Sequence, residues 1–62
     1  SGYCVVRGTA PVACGAKGSI LAFAKDDPGS GKIIQIALTY VDGRKIRANT
    51  WYDIDWKERK GA

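Results

Sequence analysis

The sequence predicts an all-β fold: a single small, five-stranded, strongly bent antiparallel sheet that closes into a barrel. Three observations support this prediction. Glycine, proline and aspartate residues divide the 62 residues into short segments. The longer segments alternate along the chain with period two, and they are enriched in β-branched and aromatic residues. Because a chain of this length buries only about 60% of the surface of its unfolded form, residues 1–62 are expected to form one domain with a thin core.

The two ends of the chain are expected to contribute little to the packed domain. Ser1-Gly2 is typical of a remnant left when an expression tag is removed, and the sequence contains no Met. This leaves open whether the chain is a domain of a longer protein. The tail Lys57–Ala62 carries charges of both signs and either extends the last strand or frays. No apolar run approaches the roughly 20 residues that cross a bilayer, so no membrane partner is expected.

Three segments account for the first half of the predicted fold. Tyr3–Arg7 is rich in residues that favour strands and ends at Gly8. Thr9–Gly18 contains proline and glycine among small residues, which indicates a loop or an irregular hairpin. Ser19–Lys25 is apolar on both faces, which predicts a buried central strand.

The most regular alternation lies in a predicted hairpin from Lys32 to Trp51. Its strands are Lys32–Tyr40, after a polar turn, and Arg44–Trp51. A three-residue loop that ends at a left-handed Gly43 sets the register that makes one face apolar. That register pairs Leu38 with Ile46, Ile36 with Ala48 and Ile34 with Thr50, and it places Ile34, Ile36, Leu38 and Tyr40 on the buried face.

The opposite face of this hairpin is the candidate site. It collects Gln35, Ala37, Thr39, Lys45, Arg47, Asn49 and Trp51. Cationic side chains beside amides and an indole are typical of nucleic-acid binding, where charge follows the phosphates and rings stack on bases. The predicted binding residues are Gln35, Lys45, Arg47, Asn49 and Trp51, with Lys17, Lys25 and Lys32 at the rim. The net charge of +4 favours an anionic partner. An ordinary solvated sheet face uses the same residue types, so that alternative stays open.

The segment Trp51–Trp56 continues the alternation, unless a short turn interrupts it. Tyr52, Ile54 and Trp56 are predicted to face inward, and Asp53 and Asp55 outward. Two carboxylates without further ligands are weak evidence for a cation, and a solvated edge explains them better. Their negative charge beside the basic face limits the nucleic-acid footprint that we expect.

The two cysteines have two possible states. A hairpin folded at Thr9 would place Cys4 opposite Cys14, within disulfide reach. Two small buried thiols are the alternative, and this one favours the cytoplasm; the localisation is otherwise open. Without histidine or a Cys-x-x-Cys motif, no metal or other cofactor is expected. Because no general base accompanies a nucleophile, we do not expect an enzyme.

A family resemblance follows from the layout of the chain. The pattern Gly15-x-x-Gly18-x-Ile20, the connection Val41-Asp42-Gly43-Arg44 and a short closing segment resemble the SH3-like small barrels, including the KOW and Tudor types. The resemblance covers most of the chain. It implies a binding module, because members of that superfamily bind nucleic acid, proline-rich peptides, methylated side chains or partner proteins.

Three function hypotheses result from these observations. The first is binding of DNA or RNA through the basic face. The alternative is a protein-interaction module of a larger assembly that uses Trp51, Tyr52 or an open sheet edge. The third is an aromatic cage for a cationic ligand, which needs Phe23, Tyr40, Trp51 or Tyr52 to converge. Homo-oligomerisation is compatible with all three, because a second copy would cover a strand that is apolar on both faces.

Overall fold

The computed structural model describes residues 2–60 and confirms an all-β fold. The strands are β1 (Tyr3–Gly8), β2 (Val12–Ala13), β3 (Ile20–Asp26), β4 (Ile33–Tyr40), β5 (Trp51–Asp53) and β6 (Glu58–Arg59). They form two three-stranded sheets, ordered β1-β3-β4 and β2-β5-β6. Neither sheet closes, so the predicted five-stranded barrel is corrected to two open sheets. Of the two predicted chain ends, Ser1, Gly61 and Ala62 lie outside the described residues.

The strands β1 and β3 are parallel neighbours, in a register that places Tyr3 beside Ile20 and Gly8 beside Lys25. The prediction of a purely antiparallel sheet is therefore wrong. Parallel neighbours need a crossover connection rather than a tight turn. The segment 9–19 supplies it, because its short strand β2 leaves the first sheet and pairs with β5.

This crossover also decides the state of the cysteines. Cys4 lies in β1, which pairs with β3, whereas Cys14 follows β2, which pairs with β5. The hairpin that would oppose them is therefore not formed, and of the two possible states the structure has the thiols: both cysteines are free and half-buried. Cys4 packs against the hydrophobic core, in agreement with the alternative of buried thiols.

The core is contributed by both sheets and is centred on β3. Leu21 and Phe23 alternate inward from this strand and are almost completely buried. The buried apolar set is Ala13, Leu21, Phe23, Val41, Ile46, Tyr52 and Ile54. Trp56 closes one side, with its ring edge-to-face on Phe23 at a centroid separation of 5.2 Å. The prediction that β3 is a central strand is confirmed.

The strand β4 turns the face opposite to the predicted one toward the core. Its register with β3 places Phe23 beside Ala37 and Leu21 beside Thr39. Since neighbouring residues in a sheet point to the same side, Ala37 and Thr39 join the inner face. The side chains predicted to be buried, Ile34, Ile36, Leu38 and Tyr40, are instead between 59% and 74% exposed.

The predicted partner strand of β4 is an irregular segment, because side chains satisfy its backbone. Asp42 Oδ1 accepts hydrogen bonds from the N–H groups of Arg44 (2.8 Å) and Ile46 (3.1 Å). The Asn49 N–H donates to the Gly15 carbonyl at 2.7 Å. Gly43 is left-handed, as predicted, with φ 81°. The predicted pairs of Leu38 with Ile46, Ile36 with Ala48 and Ile34 with Thr50 are therefore not formed, since β4 pairs with β3 alone.

Which face of β4 points to the core is tested by replacing a leucine on each face of the sheet with alanine. Leu21→Ala empties a fully buried site and is expected to lower the free energy of unfolding by about 2–5 kcal/mol. Leu38→Ala removes a side chain that is 69% exposed, and we expect a loss below about 0.5 kcal/mol. Urea titrations of dilute protein measure both values. A larger loss at Leu38 than at Leu21 would mean that the sequence-based orientation was right.

Candidate functional site

The predicted basic face is not assembled on one sheet. Lys45, Arg47 and Asn49 lie in the irregular segment between β4 and β5. The Arg47 N–H donates to the Tyr52 hydroxyl oxygen at 2.7 Å, and its Nη1 lies 3.4 Å from Glu58 Oε1. Asn49 is held by its backbone in a left-handed conformation, with φ 55°. The structure therefore gives Arg47 and Asn49 structural partners within the chain.

The other predicted binding residues lie on separate elements. Gln35 is on β4, where its Nε2 lies 3.5 Å from Asp55 Oδ1. Trp51 is half-buried on β5, directly opposite Arg59 of β6. Lys45 is exposed beside a shallow depression that Trp56 also lines. Gln35 and Trp51 thus belong to different sheets and do not share a strand face with the basic residues.

The rim lysines are also separated, but one of them joins a new group. A Cβ atom at Gly43 would lie 3.4 Å from Lys17 Cδ, so the Lys17 side chain runs along the loop that carries Arg44 and Lys45. We call Lys17, Arg44 and Lys45 the basic loop cluster. All three are exposed, and none forms an ion pair with a residue in the range 2–60. Lys32 lies apart from them, exposed beside the turn before β4.

Lys25 lines an open cleft of about 360 Å³ together with Pro11, Asp53, Arg59 and Lys60. Asp53 is buried and organises the chain here: its Oδ1 accepts the N–H groups of Asp55 (2.9 Å) and Lys57 (3.0 Å). Its Oδ2 accepts Arg59 Nε at 2.8 Å. The prediction that Asp53 faces outward is therefore wrong. Because Asp53 neutralises Arg59, the cleft presents a mixed charge.

The pKa of Asp53 lies below its usual value, mainly because its carboxylate accepts the backbone N–H of Lys57. The Arg59 guanidinium and the Asp55 N–H lower the pKa further, and burial opposes them. Each of these groups stabilises the charged carboxylate. Asp53 therefore acts as a structural anion that shapes the turn between β5 and β6. It is not a free carboxylate that a ligand could use.

The largest uniform surface is the outer face of the first sheet. The register places on it Tyr3, Val5, Ile20, Ile33, Ile36, Leu38 and Tyr40. Each of these side chains is between 42% and 79% exposed. Arg7 shares the face, and its Nε lies 2.9 Å from Asp26 Oδ1, so this charge is compensated. We call this surface the outer face. Sequence reasoning assigned Ile36, Leu38 and Tyr40 of this face to the core.

The four aromatic residues of the proposed cage do not converge. Phe23 and Tyr52 are buried in the core, each about 1% exposed. Tyr40 points to the outer face, on the other side of the sheet from Phe23. Within residues 2–60 there is no group of three or more His, Cys, Asp and Glu residues that could hold a metal ion. That part of the chain also contains no helix with the length and apolarity needed to cross a membrane.

No protein family model, no curated protein and no solved structure matches this chain. Any assignment of function therefore depends on the geometry of the chain itself.

The structural role of Asp53 is tested by the pH dependence of stability. Its folded pKa lies below its unfolded value, so its stabilising contribution is present above about pH 4 and is lost as the pH falls through the folded pKa. We expect Asp53→Asn to lower stability at pH 7 and to flatten the loss of stability below about pH 4. Urea titrations between pH 7 and pH 2.5 measure both effects.

The control for this measurement is Asp55→Asn, because Asp55 is exposed and its carboxylate accepts only a 3.5 Å bond from Gln35 among the described residues. It is expected to leave the pH profile of the wild type unchanged. Equal effects of the two substitutions would contradict the assignment of the turn to Asp53.

Proposed function

We propose that this protein is a self-associating protein-interaction module whose outer face packs against the outer face of a second copy. The observation that carries the proposal is the exposure of seven large apolar side chains on one side of a single sheet. Soluble monomers rarely expose continuous apolar patches of more than a few hundred Å². A face of this kind is more typical of an interface than of a solvated sheet.

The size of the outer face favours a stable interface with a second copy. At the observed exposures its side chains present on the order of 800 Å² of accessible surface, well above the largest patch of a typical monomer. A standard protein–protein interface buries about 800 Å² on each partner. One copy of the outer face therefore supplies the area that one side of such an interface needs.

The chemistry of the outer face also suits a copy of itself. Two such faces can meet about a two-fold axis, because every apolar residue then finds an apolar surface opposite. Two sheets packed in this way lie about 10 Å apart and form a sandwich. Arg7 and Asp26 compensate each other within one copy, so contact between copies brings no unpaired charge of these two residues into the interface.

Self-association is tested by the mass of the protein in solution. Sedimentation equilibrium over a concentration series is expected to show a species of at least two copies. Val5→Glu places a charge on the outer face at the strand farthest from β4, and it is expected to weaken association by at least about tenfold, because an unpaired charge would be buried.

The matched control is Thr9→Glu, which makes the same charge change at an exposed loop position away from the outer face. It is expected to leave the mass distribution unchanged. Because the interface is apolar and each copy carries a net charge of +4, added salt is expected to preserve or strengthen association. A wild-type chain that stays monomeric at millimolar concentration would overturn the proposal.

Nucleic-acid binding is a second candidate function, and the basic loop cluster supports it. Lys17, Arg44 and Lys45 are exposed cations on two neighbouring loops, and no carboxylate of residues 2–60 forms an ion pair with them. Three such charges can neutralise phosphates and release counterions. This cluster replaces the predicted sheet face as the surface that a nucleic-acid backbone would contact.

The second candidate is tested by titration against single-stranded and duplex oligonucleotides at two salt concentrations. Lys45→Glu is expected to weaken binding and to reduce its salt dependence, because a phosphate contact is lost. Arg47→Glu serves as the comparison, since Arg47 already pairs with Glu58. Absence of any salt-dependent binding would exclude this function, and a stronger effect at Arg47 would restore the surface predicted from the sequence.

A further inference from the structure

The outer edge of β4 carries unpaired backbone groups. The Val41 N–H donates to the Ser19 carbonyl at 2.8 Å, and the register of β4 with β3 continues from this pair. Since backbone groups of an antiparallel pair alternate between the two sides, Gln35, Ala37 and Thr39 bond to β3. The residues between and beside them in the regular part of the strand, Ile36, Leu38 and Tyr40, direct their N–H and C=O groups away from the sheet. Among residues 2–60 these groups have no backbone partner.

This edge lacks the features that usually prevent pairing between edges. Native proteins protect edge strands with lysine, proline, bulges or a covering loop. The eight residues of β4 include no charged residue and no proline. The β3–β4 register has one irregularity, where it passes from Gln35 beside Lys25 to Ile33 beside Asp26 and skips Ile34, so the edge is regular from Gln35 to Tyr40. A long, uncharged and open edge is therefore available for an added strand.

We propose that β4 pairs antiparallel with β4 of a second copy, with Ala37 opposite Ala37 at the two-fold axis. This inference rests on the proposed self-association and specifies a second contact within the same assembly. The alternation permits this register, because the outward-directed residues then form the hydrogen-bonded pairs. Ile36 then opposes Leu38 of the second copy, and Gln35 opposes Thr39.

The side chains agree with this register on both faces of the strand. On the outer face, each cross-strand pair joins two apolar residues, which stabilises a sheet. On the inner face, Gln35 lies opposite Thr39 of the second copy, and the two can hydrogen-bond. Ala37, the residue on the axis, is small enough to approach its own copy. Because β4 has no charge, no like charges meet in any of these pairs.

Edge pairing and outer-face packing are compatible in one assembly. Pairing through β4 has its two-fold axis perpendicular to the sheet and produces one continuous six-stranded sheet with the outer faces of both copies on the same side. Packing of outer faces has its axis between two sheets and parallel to them. The two axes together generate an assembly of four copies with 222 symmetry. The protein is therefore expected to assemble as a tetramer in which two six-stranded sheets form a sandwich.

The register is tested by disulfide cross-linking of single-cysteine substitutions in the full chain under mild oxidation, read on non-reducing gels. Ala37→Cys places two thiols opposite each other in a non-hydrogen-bonded pair and is expected to give on the order of tenfold more linked dimer than the wild type. The wild type measures the background from Cys4 and Cys14. Gln35→Cys is the matched control, because its opposite residue is Thr39 of the second copy.

Gln35 is more exposed than Ala37, so cross-linking by random collisions would be faster at Gln35→Cys than at Ala37→Cys. A low yield at Gln35→Cys therefore excludes random collisions as the cause of the cross-link at Ala37→Cys. Gln35→Cys alone is expected to stay at the background, and a mixture of Gln35→Cys with Thr39→Cys is expected to cross-link. Association without a cross-link at Ala37 would overturn the edge pairing and leave outer-face packing standing. A cross-link at Ala37 that persists in Val5→Glu, with the mass reduced to a dimer, would show that the two contacts are separate.

Cross-linking of Gln35→Cys alone would overturn the register. A monomer with no cross-link would overturn the edge pairing and the proposed function together. Linked dimers that require an added extended peptide would assign the edge to a different partner and would also contradict the inference.

Discussion

The position of β3 between β1 and β4 is the constraint on which the rest of the structure depends. Leu21 and Phe23 point inward from this strand, and every neighbour must adopt the same division of faces. The parallel register of β1 and the antiparallel register of β4 therefore direct their largest apolar residues outward together. One buried pair of side chains on β3 thus creates both the core and the outer face.

Two carboxylates fix the chain after β4, where a sheet ladder would otherwise continue. Asp42 accepts backbone N–H groups just beyond β4, and hydrogen bonds from Arg44 and Ile46 hold its pKa below the usual value. Asp53 does the same between β5 and β6. Such local bonds compete with strand pairing. Because Asp42 satisfies N–H groups that a partner strand would have used, the edge of β4 stays open.

The sequence was sufficient to predict the existence of β1, β3 and β4, since period-two alternation depends on local chemistry. It could not identify the strand that pairs with β4 or the face of β4 that is buried. The alternation from Ile33 to Tyr40 shows that the two faces of the strand differ, but it does not show which face points to the core. The larger side chains favoured the wrong face. The burial of Tyr52 and Ile54 and the partial burial of Trp56 were predicted correctly, because the alternating positions of this segment place apolar residues on one side and carboxylates on the other. The sheet face predicted to carry the site is not assembled, because the segment after β4 is not its partner strand and Asp42 fixes the loop that holds Lys45 and Arg47.

The separation of apolar and basic surfaces connects the two proposed functions. The outer face and the β4 edge carry almost no net charge, whereas the basic loop cluster lies on the loop that follows β4 and on the loop before β3. The proposed assembly through the apolar surfaces would therefore leave these cations accessible and would bring the basic loop clusters of several copies together. Three charges bind a phosphate backbone weakly, but several linked copies bind with an effective concentration that raises the overall affinity. Self-association is thus the contact that would make a small basic loop effective, and the outer face is the more fundamental of the two surfaces.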